Sequence, residues 1–208
     1  MRSTCFWVGG LVLLGALRTM PVSAEECGTV THTEGNGQII RNGQAIEVLP
    51  DTKLEKGDLI RAPQGSVVDF SMNDVAGIRA ADGAECEITS SGDGDMKVDL
   101  NLGRLTANLK KLPSKSSFKV ETPTAIASAR GTQFMSQVII NEAGLPDASF
   151  AVRENSIDVT SKKTGQTFAL NEGQAIDIPS EPQGGFQVRN AAGGEIVRME
   201  DASNITSC

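Results

Sequence analysis

Residues that could carry out acid–base, nucleophilic or metal chemistry are few in this sequence of 208 residues. His32 is the single histidine, so neither a histidine pair nor a multi-histidine metal site can be assembled. Cys27 and His32 have no further ligands at a recognisable spacing, and no nucleophile signature surrounds Cys86. Asp93-Gly94-Asp95 offers alternating acids to a hard cation, but Lys97 follows where more oxygen ligands are needed. The sequence therefore predicts no enzyme, no metal site and no cofactor.

The cysteines are better interpreted as disulfide candidates. Cys5 lies in a segment that we expect to be removed, which leaves Cys27, Cys86 and Cys208. An exported chain can keep a disulfide, and three cysteines allow one bridge, in any of three pairings, with one thiol left over. The sequence does not choose among these pairings. The surplus thiol could join two chains, most simply through Cys208, so the oligomeric state stays open.

The N-terminus predicts an export signal. Arg2 precedes an apolar run from Phe6 to Leu17, and Val22-Ser23-Ala24 has the small-x-small pattern that signal peptidase recognises. This run is about a dozen residues, shorter than the roughly twenty needed to cross a bilayer, which disfavours a stable membrane anchor. We therefore expect a signal peptide over residues 1–24, cleavage after Ala24, and a periplasmic or secreted protein.

Charge and aromatic content limit the possible partners. Removal of the leader would leave 17 basic and 26 acidic side chains, a formal charge of −9, which argues against nucleic acid as a ligand. Tyrosine is absent and the single tryptophan, Trp7, lies in the leader, so rings that could stack on sugars are scarce. Lys110-Lys111 with Lys115 and Lys119 form the one basic cluster. We interpret it as a solvated loop, with contact to an acidic partner or a phospholipid surface as the alternative.

Short alternating runs of apolar and polar residues extend from Gly37 to Ile178. Turn signals at roughly 8–12-residue spacing predict an all-β fold, a short-strand roll or solenoid-like sandwich with little or no helix outside the signal peptide. Arg41-Asn42-Gly43-Gln44 predicts a β-hairpin, because Asn and Gly tolerate the positive φ angles of a type I′ turn, and Ala81-Asp82-Gly83-Ala84 predicts another.

The strand pattern also sets the expected domain limits. We predict one all-β domain over residues 25–185 and a C-terminal tail over residues 186–208, since the character of the sequence changes beyond Gly185. Four positions recur at identical spacing in two distant segments, which predicts two similar β-turn-β units: Leu54, Gly57, Ile60 and Pro63 in the first, and Leu170, Gly173, Ile176 and Pro179 in the second.

The segment Thr122–Phe134 is filled with small residues and interrupted by one charge, Arg130. Pro123 biases its neighbour toward an extended conformation, and three alanines then alternate along one strand face: Ala125, Ala127 and Ala129. Gly131 predicts a bend or bulge before a second strand. We interpret Arg130 as a structural pin that holds a buried carboxylate and joins two layers of sheet, with an exposed, partner-binding arginine as the alternative.

These residues resemble the signature of a known family. Thr122-Pro123-Thr124-Ala125, followed by Arg130-Gly131-Thr132-Gln133-Phe134, is similar to the T-P-x-A and R-G-T-x-F motifs of the FecR-type domain. Leu54–Ile60 resembles its L-x-x-G-D-x-I element, Leu102–Leu105 its L-x-x-G-x-L element with one residue fewer, and Leu170–Gln174 its closing L-x-x-G-Q. The resemblance covers roughly Gly28 to Pro179. The candidate site, structural or partner-binding, therefore comprises Thr122, Pro123, Ala125, Arg130, Gly131, Thr132, Phe134, Gly57, Asp58, Gly103, Gly173 and Gln174.

The resemblance implies an all-β periplasmic domain that binds and signals and does not catalyse. In the family, the domain typically follows a membrane helix with a cytoplasmic anti-sigma segment, and it relays occupancy of an outer-membrane receptor, often one for ferric siderophores. Here no cytoplasmic segment precedes the apolar run, so we do not expect direct sigma-factor regulation. We expect a free module that binds a periplasmic or outer-membrane protein. The alternative is a structural protein that binds peptidoglycan or another polysaccharide.

Overall fold

The computed structural model describes residues 26–91, 95–113, 116–182, 184–193 and 199. Within these ranges the chain forms sixteen strands, and every strand pair is antiparallel except β8–β9. The all-β prediction is confirmed. Several predicted features lie outside the described residues: the signal peptide, Asp93-Gly94, Lys115, Cys208 and most of the tail.

The strands are β1 Glu26–Glu34, β2 Gln38–Arg41, β3 Gln44–Glu47, β4 Lys53–Glu55, β5 Leu59–Ala62, β6 Val67–Met72, β7 Ala76–Ser91, β8 Asp95–Leu109, β9 Ser117–Glu121, β10 Ala125–Ala129, β11 Gln133–Ile140, β12 Pro146–Glu154, β13 Ser156–Ser161, β14 Thr167–Asn171, β15 Gln174–Ile178 and β16 Val188–Asn190. The predicted hairpin at Asn42-Gly43 is confirmed: it joins β2 to β3, with φ angles of 51° and 77°.

Two layers of sheet share the long strands β7 and β8. Layer 1 runs in the order β3-β2-β5-β7-β8-β9-β10-β13-β14 and contains the C-terminal part of β7 and the N-terminal part of β8. Layer 2 runs in the order β4-β1-β6-β7-β8-β11-β12-β15-β16 and contains the other parts of β7 and β8. Most other connections cross from one layer to the other, which gives the sandwich its solenoid-like character.

The β7–β8 hairpin passes between the layers because both of its strands bend. In β7 the bend lies at Asp82 and Gly83, with φ angles of 54° and 78°, and in β8 at Gly103, with φ of 77°. The predicted hairpin at Ala81–Ala84 is therefore wrong: two residues with positive φ bend one continuous strand. A Cβ on Gly103 would lie 2.4 Å from the backbone nitrogen of Ala84, so only glycine fits at this crossing.

One hydrophobic core lies between the layers, because alternate residues of each strand point inward. Phe118 of layer 1 and Phe134 of layer 2 meet edge to face, with ring centroids 6.2 Å apart, and both rings are fully buried. Burying each such ring stabilises the fold by about 1.5–3 kcal/mol. The predicted alanine face of β10 is confirmed, since Ala125, Ala127 and Ala129 are all buried.

The sheet continues past Gly185. The edge strand β16 pairs with β15, and the backbone N–H of Ala191 donates to the carbonyl of Gly173 at 2.8 Å. Met199 is fully buried on the outer face of layer 2, in a small apolar cluster with Met135, Ala151 and Ala175. These segments contribute a strand and an apolar contact to the sandwich.

Candidate functional site

Two turns with the same sequence pattern cross between the layers. The β4–β5 turn reads Leu54-Glu55-Lys56-Gly57-Asp58, and the β14–β15 turn reads Leu170-Asn171-Glu172-Gly173-Gln174. In each turn the last side chain accepts a 2.8 Å hydrogen bond from the backbone N–H three residues earlier: Asp58 Oδ2 from Glu55, and Gln174 Oε1 from Asn171. Such a bond closes the turn on itself.

The glycines of the two turns are also equivalent. The N–H of Gly57 donates to the carbonyl of Ile88 at 2.8 Å, and the N–H of Gly173 donates to the carbonyl of Val152 at 2.9 Å. Both glycines have positive φ, of 90° and 74°. The leucine and isoleucine that flank each glycine are fully buried: Leu54, Ile60, Leu170 and Ile176. The predicted similarity of the two β-turn-β units is confirmed.

Asp58 differs from Gln174 because it is charged and fully buried. Arg41, at the end of β2, donates from Nε to Oδ1 at 2.8 Å and from Nη2 to Oδ2 at 2.7 Å, a bidentate pair. The guanidinium also reaches Glu55 Oε1 at 2.5 Å and the carbonyl of Lys53 at 2.8 Å. The hydrogen bonds to Asp58 are the main reason that the pKa of Arg41 is raised. This pair ties the β2–β3 hairpin to the β4–β5 turn.

Arg130 does not form the predicted structural pin. It directly follows β10, on the face that Ile126 and Ser128 turn outward, and its side chain is exposed. Within the part of the chain that the structure describes, its guanidinium forms no ion pair or hydrogen bond. Another bidentate pair with a buried carboxylate belongs to Arg79, which donates to Asp69 at 2.8 and 2.7 Å in layer 2.

The T-P-x-A residues shape the β9–β10 turn and tie it to the opposite layer. The hydroxyl of Thr122 accepts a hydrogen bond from the N–H of Ala125 and donates one to its carbonyl, both at 3.0 Å. The hydroxyl of Thr124 donates to the carbonyl of Ile178, at the end of β15, at 2.8 Å. Pro123 between them is exposed. The two threonines are therefore structural.

The R-G-T-x-F residues begin with a close approach of two chain segments. Gly131 has a φ of 126°, and a Cβ there would lie 2.9 Å from the Cα of Lys111. The N–H of Leu112 donates to the carbonyl of Arg130 at 3.3 Å. From the other side, Asn155 Nδ2 donates to the carbonyl of Gly131 at 2.8 Å. Gly131 is thus the predicted bend between β10 and β11, held between two neighbouring loops.

The rest of this motif fixes the start of β11. The hydroxyl of Thr132 donates to the carbonyl of Ser156 at 2.9 Å, which joins the β10–β11 and β12–β13 connections. Gln133 is buried, accepts a bond from Arg153 at 2.8 Å and donates to the carbonyl of Met199 at 2.7 Å. Phe134 enters the core. Apart from Arg130 and Pro123, the motif residues serve the fold.

The cysteines do not form the disulfide that the sequence allowed within the described residues. Cys27 lies in β1 of layer 2 and Cys86 in the layer 1 part of β7; both are buried, and no bridge joins them. Burial raises the pKa of the Cys86 thiol to about 12, so it stays protonated and unreactive near neutral pH. Pairings through Cys208 stay predictions.

Two kinds of feature are absent from the residues that the structure describes. No group of three or more His, Cys, Asp or Glu side chains gathers there as metal ligands would. A helix with the length and apolarity to cross a membrane is not found among them either.

The outer face of layer 1 carries an ion network centred on Glu121. Its carboxylate is 2.5 Å from Lys162 Nζ and also contacts Lys97 Nζ, which lies 3.2 Å from Asp99. Lys162 first, and then Lys97, lower the pKa of Glu121. Because these side chains are partly exposed, the network contributes little to stability.

An apolar surface lies at the far end of β11. Ile139 and Ile140 are 52% and 54% exposed. β8 leaves layer 2 at Gly103, which pairs with Val138, so among the described strands the next two residues of β11 pair with β12 alone. A groove of about 570 Å³ opens beside this free edge, and its lining includes both isoleucines and Leu102.

Sequence reasoning missed both Arg41 and the two isoleucines. No local pattern connects Arg41 to Asp58, since the two are 17 residues apart and meet only when the layers form. The isoleucines did carry a signal: adjacent apolar residues at the end of an alternating strand cannot both face the core. One of them had to be exposed or to lie at a strand edge.

The fold and the hydrogen bonds of the T-P-x-A and R-G-T-x-F residues define a β-sandwich module. Its signature residues hold the two layers together. Residues 58–158 match the family model described as FecR protein. This range is therefore a FecR-type domain, as its motifs indicated. The matched range begins at Asp58 and includes the β7–β8 bends and the T-P-x-A and R-G-T-x-F motifs, while the β14–β15 turn lies beyond it.

Solved structures share the fold. Two crystal structures of a putative anti-sigma factor from Parabacteroides distasonis, at 2.50 and 1.65 Å resolution, align with TM-scores of 0.57 and 0.56 at 15% identity. Each alignment covers 67% of this chain and 62% of the solved one, so this chain spans about three fifths of their length. No curated protein matches the sequence.

Proposed function

We propose that this chain is a non-enzymatic, exported FecR-type module that binds a protein of the bacterial envelope and takes part in signalling. Membership of the FecR family supports the class of protein, and the fold shared with a putative anti-sigma factor supports a regulatory role. The predicted leader supports export to the periplasm.

The observation that carries the proposal is the free edge of β11 beside exposed Ile139 and Ile140. A sheet edge with unpaired backbone groups accepts an extended segment of a partner, and neighbouring apolar side chains give that added strand its specificity. The groove over the β7–β8 bend provides room for such a segment next to the two isoleucines. The partner predicted by this geometry presents a short apolar strand.

The alternative, binding of peptidoglycan or another polysaccharide, has less support. Sugar rings are commonly bound by stacking on exposed aromatic side chains, and no aromatic side chain is exposed among the described residues. Four phenylalanines are fully buried: Phe70, Phe118, Phe134 and Phe150. The other two described phenylalanines, Phe168 and Phe186, are partly buried and pack edge to face, with ring centroids 5.6 Å apart.

The test compares a protein partner with the polymer. Tagged protein without residues 1–24 is incubated with detergent-solubilised envelope proteins and, separately, with purified peptidoglycan. We expect one envelope protein to be retained and to be lost with the double substitution Ile139→Ser, Ile140→Ser. Val188→Ser, on the edge strand β16 and 39% exposed, is the matched control and should retain it. Retention by peptidoglycan alone would exclude the proposal.

Export has its own test. The full chain is expressed in a Gram-negative host, and the N-terminus of the protein in the periplasmic fraction is determined by mass spectrometry. We expect a chain that begins at Glu25. Full-length protein recovered from the cytosol with its leader intact would contradict the export part of the proposal.

A further inference from the structure

We propose that Arg130 and Lys111, with Lys110 and Lys119 beside them, form a basic surface that binds an acidic segment of a protein partner. This surface is distinct from the Ile139–Ile140 groove, which lies at the opposite end of β11. The proposal therefore goes beyond the proposed function and does not depend on that groove.

The fold holds the two central residues of the basic surface side by side. Lys111 lies in the β8–β9 connection, and Arg130 lies in the β10–β11 connection. The two residues are neighbours because the backbones of these connections are in contact. The Leu112 N–H donates to the Arg130 carbonyl at 3.3 Å, and a Cβ on Gly131 would approach Lys111 Cα within 2.9 Å. Asn155 fixes the same segment through the Gly131 carbonyl at 2.8 Å. The backbone that carries the Arg130 and Lys111 charges is therefore held in place before a ligand binds.

The two central side chains of the basic surface face the solvent. Arg130 and Lys111 are both exposed, and neither forms an ion pair within the described residues. Lys110 Nζ donates to a backbone carbonyl, that of Asp74, at 3.0 Å. Asp95 lies against this surface, with its carboxylate 3.4 Å from Lys119 Nζ. The hydrogen bond from Ser117 first, then Lys119 and more weakly Arg130, lower the pKa of Asp95.

The sign of this surface is unusual for the chain, whose formal charge is −7. An acidic segment is repelled by an acidic protein as a whole and attracted by this surface, which favours a partner of that charge and fixes its orientation. The exposed guanidinium matches the partner's chemistry, because its planar fork binds a carboxylate with two parallel hydrogen bonds. At Arg41 and Arg79 such forks are occupied by buried aspartates of the protein itself.

An anionic membrane fits less well than an acidic polypeptide. A few basic residues give a weak attraction to lipid head groups, and stable attachment normally needs a second, apolar anchor. Large apolar side chains that are exposed among the described residues lie elsewhere: Leu49 follows β3, Ile139 and Ile140 end β11, and Val188 lies in β16.

The experiment measures binding of a defined acidic probe, a capped, fluorescein-labelled hexaglutamate peptide, by fluorescence anisotropy at low ionic strength. We expect saturable binding that is largely lost in 0.3 M NaCl, since salt screens exposed charges. Arg130→Gln and Lys111→Gln should each weaken binding roughly threefold, the size expected for one exposed ion pair, and the double variant more than either.

Lys56→Gln is the matched control, because Lys56 is an exposed lysine in the β4–β5 turn, away from the basic surface, and its loss removes the same charge. It should bind as the unmodified protein does, and all variants should keep the same melting temperature. The proposal is overturned if hexaglutamate does not bind, or if the double variant binds it unchanged. Sedimentation with vesicles containing phosphatidylglycerol, lost in the Arg130 variant while hexaglutamate fails to bind, would assign the surface to lipid and likewise overturn it.

Discussion

The β4–β5 and β14–β15 turns have the same pattern of leucine, glycine and a terminal hydrogen-bonding residue. They also share two hydrogen bonds: the terminal side chain accepts one from a backbone N–H of its own turn, and the glycine N–H donates the other to a distant backbone carbonyl. They differ in what lies around the last residue. Asp58 is buried and paired with Arg41 from another hairpin, whereas Gln174 is half-buried and bonds within its own turn. The pattern thus specifies the turn, but burial and the distant partner decide what the residue contributes to stability.

Breaking the Arg41–Asp58 pair should have the largest effect. Arg41→Ala leaves the buried carboxylate of Asp58 without its bidentate partner, and removing one member of a buried pair costs about 3–5 kcal/mol. Since Arg41 itself is 22% exposed, we expect the low end, about 3 kcal/mol. This corresponds to a fall in melting temperature of roughly 6–12 °C for a domain of this size. Calorimetry of Arg41→Ala beside Arg41→Lys measures it, and an unchanged melting temperature would show that the pair is dispensable.

Gln174→Ala tests the other turn. It removes one side-chain hydrogen bond to the N–H of Asn171 and leaves no buried charge, so we expect a loss of about 1 kcal/mol. Glu172→Ala, an exposed position in the same turn, is the control and should be nearly neutral. Denaturant unfolding of the two variants makes the comparison. A loss as large as that of Arg41→Ala would mean that the two turns do not differ as described.

Glu121 extends the comparison to a charge that is paired but not deeply buried. Because its pKa in the folded protein is lowered, the stabilisation it supplies is present above its ordinary value of 4.5 and is lost as the pH falls through the lower, folded value. We expect Glu121→Gln to destabilise by less than about 1 kcal/mol at pH 7. The difference from the unmodified protein should vanish at low pH. Melting curves between pH 7 and pH 3 check the sign; a difference that grows on acidification would contradict it.

Arg130→Ala should have the smallest effect on stability. The side chain is exposed, and such substitutions usually change the free energy of unfolding by less than about 0.5 kcal/mol. Calorimetry of Arg130→Ala beside Arg41→Ala compares the melting temperatures of the two variants. The comparison is direct, because the two arginines differ mainly in burial. A loss above about 2 kcal/mol would restore the structural-pin interpretation of Arg130.

Much of the fold followed from local sequence. Alternation predicted the strands and the alanine face of β10, and the family motifs identified the segments that join the layers. The candidate site was predicted less well. Arg130 was assigned to a buried pair that Arg41 and Arg79 form instead, because the pairing of arginines with carboxylates depends on contacts between residues far apart in the sequence. The β7–β8 bend was predicted as a hairpin because Asp-Gly with positive φ suits either geometry.

By itself, the sequence determined the period of the strands and the places where the chain turns, since these depend on the dihedral preferences of neighbouring residues and on alternating polarity. The tertiary structure alone decided which strands share a layer, that Asp58 meets Arg41, and that Arg130 and Ile139–Ile140 are exposed. Those features arise when segments distant in sequence compete for the same partners and the same buried space. That competition is resolved only in the folded sandwich.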